Sequence, residues 1–393
     1  MHLFLNGLAA SAGAGLTYLR NVVPELSQRS GVRTTVALSR GWGSEFEKWA
    51  GISCIEAPAP TGAVRRFWFE QTSLNRLIRD SGAEVLVSAG NFALRNSPVP
   101  QILLSGNSLY TSKDFLADLR SRGDYRLLLD TVGKGVLAKR SLTWANCTVA
   151  PTAAFAKQLF DWTGIEVSTI HHGFDHERFF ENRGPLPEEI ERKLETGKDD
   201  LRLLFVSHYN YYRNFETLFR AIPIVKQHLE TKKVRLYLTC SLEPGKNPGT
   251  YSTESAAALL SELNIADNVI QLGVVPYDVL HLLYRSCNIY NTAAYAETFA
   301  HPLVEAMASG LPVIASDLDV HREVCGDAAL YFARFSPDDL AKQILKLAGC
   351  DERKHELSGR GLTRSKDFSW RHHVDQLLGL ADELIARAGR GLQ

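Results

Sequence analysis

Glu297 and Glu305 frame the stretch of this sequence whose residue types and spacing best suit chemistry. Seven residues separate them, and Pro302 lies in between. Proline fits the first turn of a helix, where its missing N–H costs nothing. Gly310 and Pro312 supply a stop signal, so the pattern predicts a helix of about two turns over Pro302–Ser309, then a strand over Val313–Ala315. Backbone N–H groups near Phe299 to Leu303 would point out of the helix start, ready for phosphate or sugar oxygens. Glu305 lies one turn inside and can reach past such an anion to a neutral hydroxyl. On spacing alone, two solvated charges on a helix face is the commoner reading. The neighbours Ala306, Met307, Ala308, Leu311, Val313 and Ile314 reverse it, because a carboxylate buried among them without a partner is costly.

Such a pair needs a scaffold, and the bulk of the chain says which. At 393 residues the chain exceeds the size at which one hydrophobic core usually keeps growing, which favours two domains and a cleft between them. Apolar residues at 45% and charged residues at 22% are ordinary globular usage and exclude disordered, collagenous and fibrous classes. Lys plus Arg equals Asp plus Glu at 44 each, so no global basic field holds nucleic acid or an anionic membrane. Any basic site is local.

Short apolar, β-branched runs alternate with amphipathic stretches, the pattern of βα units on a parallel sheet. A first series of strands is expected at His2–Asn6, Arg33–Ser39, Val85–Ser88, Gln101–Ser105, Cys147–Ala150 and Val167–His171. A second is expected at Leu201–Ser207, Val234–Cys240, Val269–Leu272, Ile289–Asn291 and Val313–Ala315. The charge-rich segment Leu186–Asp200 between them reads as an interdomain connection or a surface helix. The tail from Trp370 to Arg387 has a helical period with one apolar face that must pack on something. Six scattered cysteines without a CxxC pair read as buried reduced thiols rather than zinc ligands or disulfides. The N-terminus lacks a basic n-region, and no apolar run approaches the ~20 residues of a membrane span. The expectation is a cytoplasmic protein, with the inner membrane surface as an alternative location.

The segment Glu297-Thr-Phe-Ala-His-Pro-Leu-Val-Glu305-Ala-Met-Ala-Ser-Gly-Leu-Pro-Val-Ile-Ala315 resembles the signature of the retaining glycosyltransferases of family 4, E-x-F-G-x-x-x-x-E-A-M-A-x-G-x-P-V-I-A. It departs mainly at Ala300, where glycine is usual. The resemblance implies an α/β protein of GT-B fold, two Rossmann-like parallel-sheet domains facing each other across a cleft. Residues 1–180 would form the acceptor domain, completed by the C-terminal helix 370–393, and residues 181–369 the nucleotide-sugar donor domain. Glu297 and the backbone of Thr298, Phe299 and Ala300 would contact the donor sugar, and Glu305 the nucleotide ribose.

The same resemblance implies a cationic site after the first strand of the second domain. There Phe205-Val-Ser-His-Tyr-Asn-Tyr-Tyr-Arg-Asn-Phe-Glu-Thr-Leu218 puts Arg213 at the usual lysine position, Asn214 after it, and His208 near the usual arginine. Arginine can fork to two phosphate oxygens; an exposed helix-start cation is the alternative. A glycine-rich turn is implied after the first strand, where Ser11–Tyr18 offers Gly13 and Gly15, whose missing side chains let amides approach a phosphate or acceptor. Gly273–Tyr277, with Val275, matches the loop that lines the base. Where relatives carry a histidine after the fourth N-terminal strand, this chain has Asn107, either a hydrogen-bonding partner of sugar or acceptor or a turn former after Gly106.

The implied activity is retaining transfer of a sugar from a nucleoside diphosphate sugar, such as a UDP- or GDP-sugar, to an acceptor hydroxyl, in polysaccharide, glycolipid or glycoconjugate synthesis. Glu297, Arg213 and Asn107 are the catalytic candidates. No metal is expected, the adjacent His171 and His172 having no third ligand, and no cofactor beyond the donor. The acceptor would be a sugar, a lipid-linked sugar or a polysaccharide. Nucleic acid is not an expected partner. The basic, aromatic stretch Thr61–Trp68 reads either as a peripheral membrane contact or as a helix packed on its sheet. The rival readings are a nucleotide-sugar-binding protein with impaired catalysis and a GT-B-like epimerase or phosphorylase.

Overall fold

Thirteen strands organise the computed structural model, which describes residues 1–10, 13–57, 62–181, 184–229, 233–247 and 251–390. Seven of them, β1 (His2–Asn6), β2 (Arg33–Ser39), β3 (Ile52–Ala57), β4 (Val85–Ser88), β5 (Gln101–Leu104), β6 (Cys147–Ala150) and β7 (Ser168–Thr169), make one sheet in the order β3-β2-β1-β4-β5-β6-β7. The other six, β8 (Leu201–Phe205), β9 (Val234–Leu238), β10 (Val269–Gln271), β11 (Ile289–Thr292), β12 (Val313–Ser316) and β13 (Ala329–Phe332), make a second in the order β10-β9-β8-β11-β12-β13. All their pairings are parallel. The inner strands are buried on both faces, as Leu3, Phe4 and Leu5 of β1 and Leu203, Leu204 and Phe205 of β8 illustrate. That explains why their sequences are unbroken apolar runs rather than alternating ones.

By internal packing the chain divides into two units. The first comprises residues 1–112, 119–173 and 369–393, and the second residues 113–118 and 174–368. In the first unit the helix Trp370–Arg390 buries Val374, Leu377, Ala381 and Leu384 in the core that contains β1 and the helix Gly13–Ser27. Gly173 shows how tightly this return is made: a Cβ there would lie 2.0 Å from the Trp370 amide nitrogen. In the second unit the helix Glu188–Glu195, expected as a connection or a surface helix, turns Ile190 and Leu194 into the core. Residues 113–118, from the first half of the sequence, join this unit through Tyr295, whose hydroxyl donates to Asp118 at 2.6 Å, and through an Arg334–Asp114 ion pair at 2.6 Å.

Two strands were not expected from the sequence, β3 and β13, and each is the edge of its sheet. No helix is long and apolar enough to cross a membrane among the described residues.

Candidate functional site

The second sheet reverses its order beside β8: β9 and β10 extend to one side, β11, β12 and β13 to the other. In an open α/β sheet, the loops leaving the carboxyl ends of the two strands at such a point diverge and leave a crevice for ligands. Here those loops follow β8 and β11. Residues 206–214 carry His208, Arg213 and Asn214, and residues 293–300 carry Glu297 to Ala300. Two segments more than eighty positions apart thus become neighbours because β8 pairs β11, with Leu203 opposite Ile289 and Leu204 opposite Tyr290.

Local geometry aims the two loops at each other. After β8 the chain makes a short 3-10 turn, Tyr211–Arg213, and passes through Asn214 in the left-handed conformation (φ 56°) into the helix Phe215–His228. Asparagine tolerates that backbone better than most residues. Its side-chain oxygen accepts from the Thr217 hydroxyl at 3.0 Å, and its backbone N–H donates to Tyr211 O at 2.9 Å. The Tyr295 N–H donates to Tyr212 O at 2.9 Å, tying the β11 loop to the β8 loop. From the far side the Ser316 hydroxyl donates to Ala294 O.

Within this frame Arg213 and Glu297 form an ion pair, with the guanidinium also 5.1 Å from the Tyr212 ring centroid. Glu297 occupies only part of the five-donor guanidinium fork, and the buried Arg213 Nε has no hydrogen-bond partner among the described residues. A buried N–H without an acceptor is a standing cost that an incoming anionic oxygen would relieve. His208 stands exposed on the same loop, and packing around its ring, together with the Arg213 charge, pushes its pKa below the ordinary histidine value. It is therefore a neutral donor or acceptor beside the cation at neutral pH. His321, wholly buried next to Ser316, is driven down to about 4 by burial and by the same charge, and it too is neutral.

The helix expected over Pro302–Ser309 spans His301–Ala308, with Pro302 in its first turn. Ala300, the residue standing where glycine is usual in the resemblance, caps it in the left-handed conformation (φ 65°, ψ 66°). A Cβ is strained there, which explains the usual glycine. Phe299 turns its ring into the core, 5.3 Å from Phe368, so only its backbone remains for a ligand.

Glu305 lies inside this helix and is buried. Its Oε2 accepts from the Tyr284 hydroxyl at 2.8 Å, and the same hydroxyl lies 3.3 Å from Pro302 O. Burial pushes the Glu305 carboxyl up to about 7, opposed only by that hydrogen bond. Desolvation and the carboxylate together hold the Tyr284 phenol far above its usual range, so it acts as a donor at any ordinary pH. Nothing in the sequence pattern links Tyr284 to Glu305; the fold does. The buried phenol of Tyr290 on β11 is pushed up by burial, opposed by the charge of Arg213 and reinforced by that of Glu305. Val275 is half-buried against the core on the loop that follows β10, and Gly273 there has φ 73°.

The remaining candidates lie in the first unit. Gly13 and Gly15 fall in the first turn of the helix Gly13–Ser27, while Ser11 and Ala12 lie outside the described residues. At Gly15 a Cβ would sit 3.2 Å from the Ala10 backbone, so a close chain approach accounts for this glycine. Asn107 caps a short turn, its side-chain oxygen accepting from the Leu109 N–H at 3.0 Å. His172 sits among Tyr18, Trp370 and His373, and no cluster that could hold a metal ion occurs among the described residues.

Comparison with known proteins bears on the same region. Residues 187–363 match the family described as "Glycosyl transferases group 1". The chain is 33% identical over 107 residues to the O-antigen chain mannosyltransferase B of Escherichia coli, covering 27% of this chain and 28% of that one. It is 28% identical over 198 residues to the D-inositol 3-phosphate glycosyltransferase of Stackebrandtia nassauensis, covering 50% and 44%. The chain thus spans less than half the length of either relative. Among solved structures, sucrose-phosphate synthase from Thermosynechococcus elongatus superposes with a TM-score of 0.76 at 17% identity, covering 98% of this chain and 100% of that one. Anabaena HepE in complex with UDP-glucose superposes with a TM-score of 0.72 at 15% identity, covering 98% and 100%. The fold is GT-B.

Proposed function

We propose that this chain is a retaining glycosyltransferase of family 4 that moves a sugar from a nucleoside diphosphate sugar to an acceptor hydroxyl. The observation that carries the reading is the Arg213–Glu297 pair at the strand-order reversal between β8 and β11. The family match over residues 187–363 and a neighbour whose title names UDP-glucose support it.

In this reading Arg213, through the donors that Glu297 leaves open, and the backbone amides at the start of the helix His301–Ala308 take the diphosphate. Negative charge grows on the leaving oxygen as the glycosidic bond breaks, and donors fixed in advance stabilise that charge without reorganising. Glu297 accepts from sugar hydroxyls, and Glu305 from the ribose. The site supplies its positive charge from protein groups, so activity is expected to persist in a chelator. His208 and Asn107 are assigned no step, because one is neutral and the other is engaged in a turn cap.

The test is incubation with radiolabelled UDP- and GDP-sugars, with and without EDTA, scoring slow donor hydrolysis and transfer to a panel of acceptors. The anomer of the released sugar is then read by NMR. Release with the donor's own anomeric configuration supports the proposal. Nucleotide binding without turnover would favour a nucleotide-sugar-binding protein, and failure of both would remove the reading.

A further inference from the structure

The helix Tyr125–Trp144 of the first unit is built inside out. The side it buries carries Thr131, Gly135, Ala138 and Ser141, with Leu142 the one large apolar residue wholly covered. Its exposed side carries Tyr125, Leu129, Val132 and Val136, at successive spacings of four, three and four, so all four lie in one line along the helix. Leu129 is 72% exposed and even Val132 is 45% exposed. A water-facing helix arranges its residues the other way, large apolar side chains inward. Scattered apolar residues on a surface need no explanation, but a continuous line about 16 Å long at a 1.5 Å rise per residue does.

Charge indicates what covers this line. The helix carries Arg126, Lys134, Lys139 and Arg140 against Asp130 alone, and Asp130 is already neutralised by Lys134 at 2.6 Å. Arg126 and Arg140 are exposed and make no ion pair among the described residues. On a 100°-per-residue wheel both fall on the same flank of the stripe. In a chain with no net charge, this is a local basic margin on an apolar face. A second copy of the same helix packed antiparallel would bring like charges together on that margin. An anionic surface with an apolar interior matches both features at once.

We infer that this face of the Tyr125–Trp144 helix lies on an anionic lipid bilayer, its apolar line entering the headgroup boundary while Arg126 and Arg140 meet lipid phosphates. Side chains of this kind bind an interface through buried apolar area plus attraction to anionic headgroups, each basic residue adding to the second term. The same helix packs by Gly135 against Tyr110, 3.7 Å from where its Cβ would stand, in the turn that follows β5 and includes Asn107. A lipid-borne molecule would therefore arrive near that end of the first sheet. The inference does not depend on the enzymatic reading, since it concerns a surface and not the site at β8 and β11.

The experiment is co-sedimentation of the full chain with vesicles of phosphatidylcholine alone and of phosphatidylcholine with about a third phosphatidylglycerol, at low and high salt. The wild type should sediment with the anionic vesicles, far less with neutral ones, and less at high salt. Leu129→Asn with Val136→Asn should lower partitioning about tenfold or more at both salts. Arg126→Glu with Arg140→Glu should lower it mainly at low salt, an effect a folding defect would not mimic. Melting temperatures of both variants serve as the control for folding. Absence of wild-type binding to anionic vesicles, equal binding by both variants, or a concentration-dependent dimer that the Asn variant abolishes would each overturn the inference.

Discussion

Among the described residues each unit contains one carboxyl that burial pushes up to about 7, and the two are held in opposite ways. In the first unit Glu70, on a π-turn spanning Glu70–Leu74, has a cation and an amide: Arg66 Nε lies 3.4 Å away and the Asn6 amide donates at 3.2 Å. In the second unit Glu305 has one partner, the neutral hydroxyl of Tyr284. Glu70 is thus answered from within its own unit, tying its helical segment to the end of β1. Glu305 is left with most of its acceptor capacity and, among the described residues, no cation paired with it. Similar burial therefore surrounds a carboxylate paired within its unit and, in the other unit, one that the proposed function assigns to binding, and only the identity of the partners separates them.

The largest expected difference between the units concerns turnover. Arg213→Ala should lower transfer or donor hydrolysis by about 10² to 10³, the usual cost of a preorganised donor to a leaving group. Asn107→Ala, which removes a turn cap in the first unit, should lower it by less than about tenfold. Steady-state kcat for both variants makes the comparison, and equal effects would erase the distinction drawn here.

Next comes Tyr284→Phe, which strips the one hydrogen bond opposing the burial of Glu305. The Glu305 carboxyl should become harder to ionise, raising KM for the donor about tenfold with little change in kcat. A structural role alone would lower stability and leave KM unmoved.

Smaller effects appear in stability against pH. Glu305 has a folded-state pKa near 7, above its unfolded value of about 4.3. The folded chain therefore binds more protons between those values, so its stability falls as pH rises through that window and the loss is complete above 7. Glu305→Gln removes that slope and should be at least as stable as wild type at pH 8. Glu70→Gln removes a similar slope, and since the raised value already includes the pull of Arg66 and Asn6, it should likewise be at least as stable as wild type at pH 8. Urea unfolding at pH 5.5 and pH 8 reads both. The smallest effect is expected at Ala300→Gly, where relief of the left-handed strain and the greater freedom of unfolded glycine nearly cancel, leaving stability within about 1 kcal/mol of wild type.

Much of the second unit was legible in the sequence because its chemistry is written in consecutive residues. Pro302, Gly310 and the apolar run after it define a helix and strand whose bounds move by a single residue in the structure. Arg213 was singled out through the family resemblance, and it lies on the loop after β8 paired with Glu297. Tyr284 was not, because it reaches Glu305 only through the packing of two helices. The edge strands were hidden for a related reason. β3 pairs with one neighbour and mixes Ser53, Cys54 and Glu56 into its pattern, while β13 is four residues without a β-branched side chain. The apolar line on the Tyr125–Trp144 helix has a helical period, but the period does not say which face is covered. The stretch that the sequence offers as a membrane contact or as a helix packed on its sheet is Thr61–Trp68, of which Thr61 lies outside the described residues. There Phe67 packs on Phe92 and Trp144, while Val64 and Trp68 are exposed.

The proposed nucleotide-diphosphate site lies in the loops after β8 and β11 and acts through Arg213. Its most direct test is the thermal shift of the wild type and of Arg213→Ala with UDP and GDP. A ligand at a hundred times its Kd stabilises the folded state by about 2.7 kcal/mol, several degrees for a chain of this size. That shift is expected with one of the two nucleotides in the wild type, and its loss is expected in the variant. No shift with either, or an undiminished shift in Arg213→Ala, would contradict it.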